Sequence, residues 1–192
     1  MMIDLCNKLV DNDLTKNDLL GKVEIKKTSK EDLDQICKTL AKAFDLSSDG
    51  EALMQLTQSN AILDESIKLV DKETNEIYGL LIFCECPIKI GSPISFFESG
   101  LTQYFEDFKQ INGHSFIIDE RLRGTNLDKK MLLFNLEFLA ANYDFIWCGV
   151  EKSLKSLSYW HRLGFVDVFI IEEATFLLFP LSKKMINKIL SV

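Results

Sequence analysis

One stretch constrains the fold more than any other. Ile117 to Val150, "IIDERLRGTNLDKKMLLFNLEFLAANYDFIWCGV", opens as a strand and turns at a single glycine into the longest helical pattern of the chain. It closes in "YDFIWCGV", an almost wholly apolar strand. A strand without a polar alternate is buried on both faces of a sheet, so this one belongs near the sheet's centre. The helical pattern places Leu127, Met131, Phe134 and Phe138 on one face, with Leu132, Leu136 and Leu139 beside it.

The same alternation of strand and helix runs through the rest of the chain. "KVEIKKTS" (Lys22 to Ser29) reads as a strand with Val23 and Ile25 on one face. A helix follows from Ser29 as N-cap, with acidic residues in its first turn and Leu33, Ile36, Cys37, Leu40 and Phe44 at helical spacing. "DGEALMQLTQS" is a shorter helix with Leu53 and Leu56 inward. "SIKLVDK" and "EIYGLLIFCECPI", joined at "KETNE", read as a β-hairpin. Ser95 to Gln110 carries Phe96, Phe97, Tyr104 and Phe105 at irregular helical spacing, as a helix or a helical lid. "GHSFIIDE" is a strand, "KSLKSLSYWHRLG" a helix ended by Gly164, and "FVDVFI" and "ATFLLFPLS" are strands before a short tail helix. These elements predict an α/β or α+β fold with a mixed sheet, antiparallel at the hairpin and with crossovers at Gly124 and Gly164.

A chain of 192 residues is the size of one domain and can bury a substantial core. Its formal charge of -7 argues against nucleic acid or an anionic membrane as partner and fits a neutral or cationic substrate better. No run of about 18 apolar residues marks a membrane span, and the acidic N-terminal segment does not read as a signal peptide, so a cytoplasmic location is expected. Cys6, Cys37, Cys84, Cys86 and Cys148 form neither a disulfide framework nor a zinc pattern. Cys84 and Cys86, two apart on one strand face, are either a soft-metal pair or small buried hydrophobes.

The glycine at the strand-to-helix join has a chemical reading. A helix N-terminus presents about four unpaired backbone N–H groups and a partial positive charge, which suit a phosphate if nothing bulky blocks the approach. Gly124 clears that approach, Arg123 beside it carries a guanidinium, and Asn126 tolerates a positive φ better than other non-glycine residues. The loop is neither a P-loop nor a dinucleotide fingerprint. On spacing alone it is either an anion cradle or simple turn geometry.

The order of elements and two motifs resemble the GCN5-related N-acetyltransferases, the GNAT superfamily. The resemblance runs from about Lys22 to Ser182 and is most specific from Ser115 to Phe165. The family's acyl-CoA loop, [RQ]-x-x-G-x-[GA], laid from Arg123, falls on Arg123, Gly124, Thr125, Asn126, Leu127 and Asp128, followed by a Leu-rich helix. The second motif, which ends in GF, is met by Ser153, Ser156, Tyr159, Trp160 and "HRLGF" ending at Phe165. Asn126 and Asp128 replace the small residues of the first motif; Ser153 replaces an asparagine and Trp160 a tyrosine in the second.

The resemblance implies a central splayed β-sheet flanked by helices, in a single domain from residue 22 to 192 after a helical extension over 1–21. It implies transfer of an acetyl group from acetyl-CoA to a primary amine of a small molecule or peptide, without a metal, by a monomer or homodimer. A catalytically weak domain that binds CoA or another protein is the alternative. CoA would be held by Ile117, Ile118, Arg123, Gly124, Thr125, Asn126, Leu127, Asp128, Lys129, Ser153, Ser156 and Trp160. The reaction asks for a neutral amine, an oxyanion donor and a route for one proton. Backbone N–H groups near Ile118 and Asp119 are expected to supply the donor. Asp119 and Glu85 lead the candidates for the base, ahead of His114 and Glu151; Tyr159 is the candidate acid in place of Trp160 if its helix is rotated relative to the family register, and otherwise packs inward. The acceptor pocket is expected over Phe44 to Asn60 and Ile88 to Gln110.

Overall fold

A computed structural model describes residues 19–85, 107–151, 157–170 and 174–184. Residues 19–22 are helical and lead into β1 (Val23–Lys27). Then come α1 (Leu33–Ala43), α2 (Asp49–Gln58), β2 (Ile67–Asp71), β3 (Ile77–Cys84), β4 (Gln110–Ile118), α3 (Leu127–Phe134), α4 (Leu136–Asn142), β5 (Phe145–Glu151), α5 (Leu157–Arg162), β6 (Val166–Ile170) and β7 (Ala174–Pro180). The strands form one mixed sheet in the order β1-β2-β3-β4-β5-β7-β6, flanked by the helices. This is the α/β architecture expected from the alternation of patterns.

Chain contacts divide the protein into two compact units. The first comprises Met1–Leu53, Leu63–Leu81 and Ser115–Phe134. Here β1 pairs antiparallel with β2, from Val23 opposite Asp71 to Lys27 opposite Ile67. The hairpin of β2 and β3 closes because the Asp71 carboxylate accepts the N–H groups of Glu73 (2.8 Å) and Thr74 (2.9 Å), and Asn75 takes φ +59. Those bonds hold the Asp71 carboxyl below its ordinary range. A capping interaction starts the first helical segment: Asp32 accepts the Ser29 N–H at 2.8 Å, over a 3-10 turn (Lys30–Asp32) that continues into α1. Asp32 also meets Lys68 of β2 at 2.6 Å, with only 16% and 13% of the two side chains exposed, which ties the turn to the sheet. Ile36 and Leu40 of α1 are buried, as are Ile67, Leu69, Val70 and Leu80 of the hairpin and Met131 of α3.

The second unit comprises Met54–Ile62, Ile82–His114 and Asn135–Val192. β5 is central: Phe145, Ile146, Trp147, Cys148 and Val150 are all buried, as its unbroken apolar run predicts. It pairs antiparallel with β7 along its whole length, and β6 pairs antiparallel with β7. Its parallel ladder with β4 covers three pairs, Gln110–Phe145, Ile111–Ile146 and Asn112–Trp147, at the start of two longer strands; this is the splayed pairing expected of the fold. The Asn112 side-chain amide donates to the Trp147 carbonyl at 3.2 Å inside that ladder. Cys84 is buried and its thiol donates to Ser59 Oγ at 3.2 Å, the behaviour of a core cysteine. Cys86 lies outside the described residues.

Several expectations about faces need correction. The helix expected from 124 to 143 is two, α3 and α4, interrupted at Asn135, whose φ of -113 and ψ of 12 leave the helical region. Asn135 stands at the N-cap position of α4 without a side-chain cap hydrogen bond, and its carbonyl accepts the Leu139 N–H at 3.0 Å as α4 begins. Phe134, the last residue of α3, is exposed while Leu127, Met131 and Leu132 are buried, and beyond the interruption Phe138 is exposed and Leu139 buried. Phe44, just past the end of α1, and Leu53 of α2 are likewise exposed, and Ala52 takes the buried place beside Leu56. Of the helix expected over Ser95 to Gln110, the described end differs: Asp107 and Phe108 lie in a turn and bend, and Gln110 begins β4. Phe96, Phe97, Tyr104 and Phe105 lie outside the described residues.

Candidate functional site

The join between β4 and α3 is built residue by residue. After Ile118 the chain enters a 3-10 turn (Glu120–Leu122) with Asp119 as its N-cap. Leu122 is fully buried and anchors the turn; burying a leucine contributes about 1.5–3 kcal/mol, more than an exposed ion pair supplies. Thr125 Oγ donates back to the Leu122 carbonyl at 2.6 Å. Gly124 then takes φ +74 and Asn126 φ +62, both left-handed, so Asn126 fills the second left-handed position that the loop's geometry requires. Lys130 N–H donates to the Asn126 carbonyl at 3.0 Å, which opens α3.

The consequence is a run of open donors. Among the described residues, the backbone N–H groups of residues 124–128 make no hydrogen bond. A Cβ built on Gly124 would meet nothing within 4 Å, so the approach is clear. Arg123 is exposed directly before the loop, and Lys129 and Lys130 are exposed in the first turn of α3. This is the donor set that a diphosphate asks for: consecutive amides at a helix N-terminus, with cations beside them. Asp128, the residue at odds with that reading, is half-buried; one of its carboxylate oxygens accepts the Lys129 N–H at 2.7 Å. Its charge is thus held against the first turn of its own helix, where the dipole favours it.

Ile117 and Ile118 are half-buried at the end of β4, directly before the loop. A close backbone approach, carried by Gly79 of β3, fixes that strand end: a Cβ there would lie 3.1 Å from the Ile117 carbonyl oxygen, 3.2 Å from Leu69 Cβ and 3.3 Å from Met131 Sδ. Nothing in the sequence singled out Gly79.

Asp119 has a different occupation from the one its position suggested. Its carboxylate accepts the Arg121 N–H at 2.9 Å and is gripped by the Arg121 guanidinium through Nε and Nη2, both at 2.8 Å. The guanidinium hydrogen bond, chief among the causes, holds the Asp119 carboxyl below its ordinary range, which makes it a weaker base. The Asp119 N–H donates to the Tyr78 carbonyl at 2.7 Å, which leaves Ile118 as the nearer candidate for the oxyanion donor.

Other candidates fall in the second unit. Glu85, just past β3, is exposed, and its N–H donates to the Asn60 carbonyl at 3.1 Å. His114 of β4 is depressed below its ordinary value of 6.5 by burial, so near neutral pH it is an uncharged imidazole able to accept a proton. Glu151 ends β5.

The second motif is a helix terminator as well as a candidate site. Phe165 N–H donates to the Trp160 carbonyl at 3.1 Å and Gly164 N–H to the His161 carbonyl at 3.0 Å, with Gly164 at φ +98. This is the Schellman pairing, and the apolar contact that accompanies it is Trp160 edge-on to Phe165 at 5.0 Å. Phe165 meets Phe179 of β7 at 5.2 Å, so the indole belongs to an aromatic stack. Tyr159 is half-buried, its ring edge-on to Trp160 at 5.6 Å. Ser153 and Ser156 lie outside the described residues.

The structure therefore brings Ile117, Ile118, Asp119, Arg123, Gly124, Thr125, Asn126, Leu127, Asp128 and Lys129 together at one strand-to-helix join. Glu85, Tyr159 and Trp160 sit on other elements of the second unit.

No protein-family model matches the chain, and no curated protein matches it. Solved structures do. A GNAT family N-acetyltransferase from Escherichia coli in complex with CoA is similar at 19% identity and a TM-score of 0.60, covering 86% of this chain and 85% of its own. The NatC complex bound to Gag peptide and CoA contains a chain similar at 15% identity and a TM-score of 0.58, over 84% of this chain and 99% of its own. Arylalkylamine N-acetyltransferase 2 from Aedes aegypti is similar at 16% identity and a TM-score of 0.58, over 83% and 99%. At such identities the likeness is one of fold, and by that likeness the chain has the fold of the GNAT N-acetyltransferases.

Proposed function

We propose that this protein is an acyl-CoA-dependent N-acetyltransferase acting on a primary amine of a small molecule or peptide. The observation that carries the reading is the run of open amides over residues 124–128, framed by left-handed Gly124 and Asn126. Those amides and Arg123 would hold the diphosphate of acyl-CoA. The bound thioester supplies an activated acyl group; the chain's part is to bind it, orient it and handle one proton. Ile118 at the end of β4 is the candidate backbone donor for the developing oxyanion. The amine must arrive neutral, and a proton acceptor is needed for that. Asp119 is held low by Arg121 and is committed to that pairing, and the proton acceptor is assigned to Glu85 or to His114 as an uncharged imidazole.

The commitment of Asp119 to Arg121 and of Trp160 to the Phe165 stack favours a second reading, a domain that binds acyl-CoA with little turnover. Release of free CoA from acetyl-CoA, followed over a panel of polyamines, amino acids, aminoglycosides and peptides, separates the two. Amine-dependent release supports the enzyme. Binding without release over the panel supports the module, and absence of binding removes both.

A further inference from the structure

β4 begins with a polar stripe that neither motif includes. Gln110, Asn112 and His114 alternate along the strand and so share one face of the sheet, and the parallel register puts Phe145 and Trp147 of β5 on that same face. Gly113 agrees with this: a Cβ there would meet Ile146 Cγ2 at 3.7 Å and Cys148 Cβ at 3.9 Å, both on the opposite face. The opposite face is also the one on which α5 ends, because Phe165 meets Phe179, the strand partner of Ile146. On the striped face Trp147 lies 6.2 Å from the Phe176 ring, which fills the space left by Gly149.

Two atoms of the striped face stand out. Trp147 is only 8% exposed, yet among the described residues its Nε1–H finds no hydrogen-bond partner, and neither does the buried Gln110 Oε1. A buried donor or acceptor without a partner is costly, so each such atom calls for a group to meet it. Gln110 lies opposite Phe145 and Trp147 opposite Asn112, so the two are diagonal neighbours on adjacent strands, where long side chains reach a common point. Asn112 does not supply the missing group, since its amide is given to the Trp147 carbonyl at 3.2 Å. Gln110, Asn112, His114 and Trp147 include no carboxylate, lysine or arginine, and burial keeps the His114 imidazole uncharged near neutral pH. An ammonium or a carboxylate would therefore find no counter-charge among them, whereas a hydroxyl accepts and donates at one atom and suits an orphaned donor beside an orphaned acceptor.

We propose that Trp147 and Gln110 bind a hydroxyl of the acceptor, so that the amine substrate is a hydroxylated one, an amino alcohol or an amino sugar, and not a polyamine. The inference rests on the acyltransferase reading for the transfer, and on the two orphaned atoms alone for the hydroxyl.

The test uses the full chain, which has two tryptophans; the Trp147 indole N–H resonance is the one lost in Trp147→Phe. Glucosamine and ethanolamine are titrated against cyclohexylamine and putrescine, with and without CoA. The Trp147 indole resonance is expected to shift saturably with the two hydroxylated amines and to stay in place with the other two. Release of CoA from acetyl-CoA is expected to favour glucosamine over cyclohexylamine by about tenfold or more in kcat/KM. Gln110→Met, close to glutamine in volume, is expected to raise the KM for glucosamine about tenfold, with KM and not kcat carrying the change. Its urea midpoint is expected to be equal or higher, because an unpartnered acceptor is removed. A Trp147 resonance that stays in place across the panel overturns the proposal, as does a preference for cyclohexylamine. A Gln110→Met chain that unfolds at clearly lower urea also overturns it, by assigning the two atoms to an internal water. An indole shift without turnover leaves the hydroxyl site standing while the acyltransferase reading fails; turnover without a shift does the reverse.

Discussion

Gly124→Ala separates what the loop needs for folding from what it needs for a ligand. At φ +74 an alanine costs about 1–2 kcal/mol for a left-handed L-residue, and the stiffer unfolded chain returns about 0.4–1 kcal/mol of that. No packing cost is added, because the new Cβ would meet nothing within 4 Å. The net is about 1 kcal/mol, which lowers the melting temperature of a chain this size by roughly 2–4 °C. Gly164→Ala is the comparison: its φ is +98, and its Cβ would lie 3.1 Å from Phe179 Cε2. Overpacking adds about 1–3 kcal/mol there, so its total is about 2–4 kcal/mol. The ligand effects run the other way. A methyl on the clear approach to the amides is expected to weaken CoA by at least about tenfold, roughly 1.4 kcal/mol, whereas Gly164→Ala leaves the loop intact. Urea denaturation and calorimetric CoA titration of both variants give the four numbers. A Gly124→Ala loss above about 3 kcal/mol, or CoA affinity equal to wild type, refutes the reasoning that the space before Gly124 is kept clear for a ligand.

Three other perturbations have defined outcomes. Lys68→Met leaves Asp32 largely buried without its cation and is expected to cost about 2–3 kcal/mol by urea denaturation, most of it recovered in the double variant with Asp32→Asn. Gly79→Ala presses on the Ile117 carbonyl and Met131 and is expected to cost about 1–3 kcal/mol while shifting the amide resonances of Ile117 and Ile118; a silent substitution would show that β4 does not depend on that approach. Burial depresses the His114 imidazole below 6.5, so as pH falls the unfolded chain takes up the proton first. Stability is therefore present above about pH 6.5 and lost as pH falls towards the folded pKa. His114→Asn, neutral throughout, should show a smaller loss between pH 7 and 5 in a series of urea midpoints.

What the sequence made legible was whatever periodicity or a glycine encodes. The unbroken apolar run Phe145 to Val150 announced a buried central strand, and Gly164 announced a helix end with φ +98. The loop itself was legible because Gly124 and Asn126 are residue types that reach the left-handed region. Legibility failed where a short-range contact overrode a long pattern. The apolar periodicity runs straight through Asn135, where the backbone leaves the helical region and one expected helix becomes two, with Phe134 and Phe138 exposed. Asp119 looked like a base because strand ends face sites in such folds. Its pairing with Arg121 two residues on depends on a 3-10 turn that apolar patterning does not reveal. Gly79 gave no signal, since its constraint is the passage of another strand's carbonyl.

Everything proposed for the protein's chemistry depends on the amides over residues 124–128, with Arg123, binding the diphosphate of acyl-CoA. Calorimetric titration of CoA into the wild type and into Arg123→Glu tests it most directly. Saturable binding by the wild type is expected, with stabilisation of about 2.7 kcal/mol once CoA reaches a hundredfold excess over its Kd, and loss of that binding in Arg123→Glu. No heat of binding at millimolar CoA, or binding indifferent to Arg123→Glu, would contradict it.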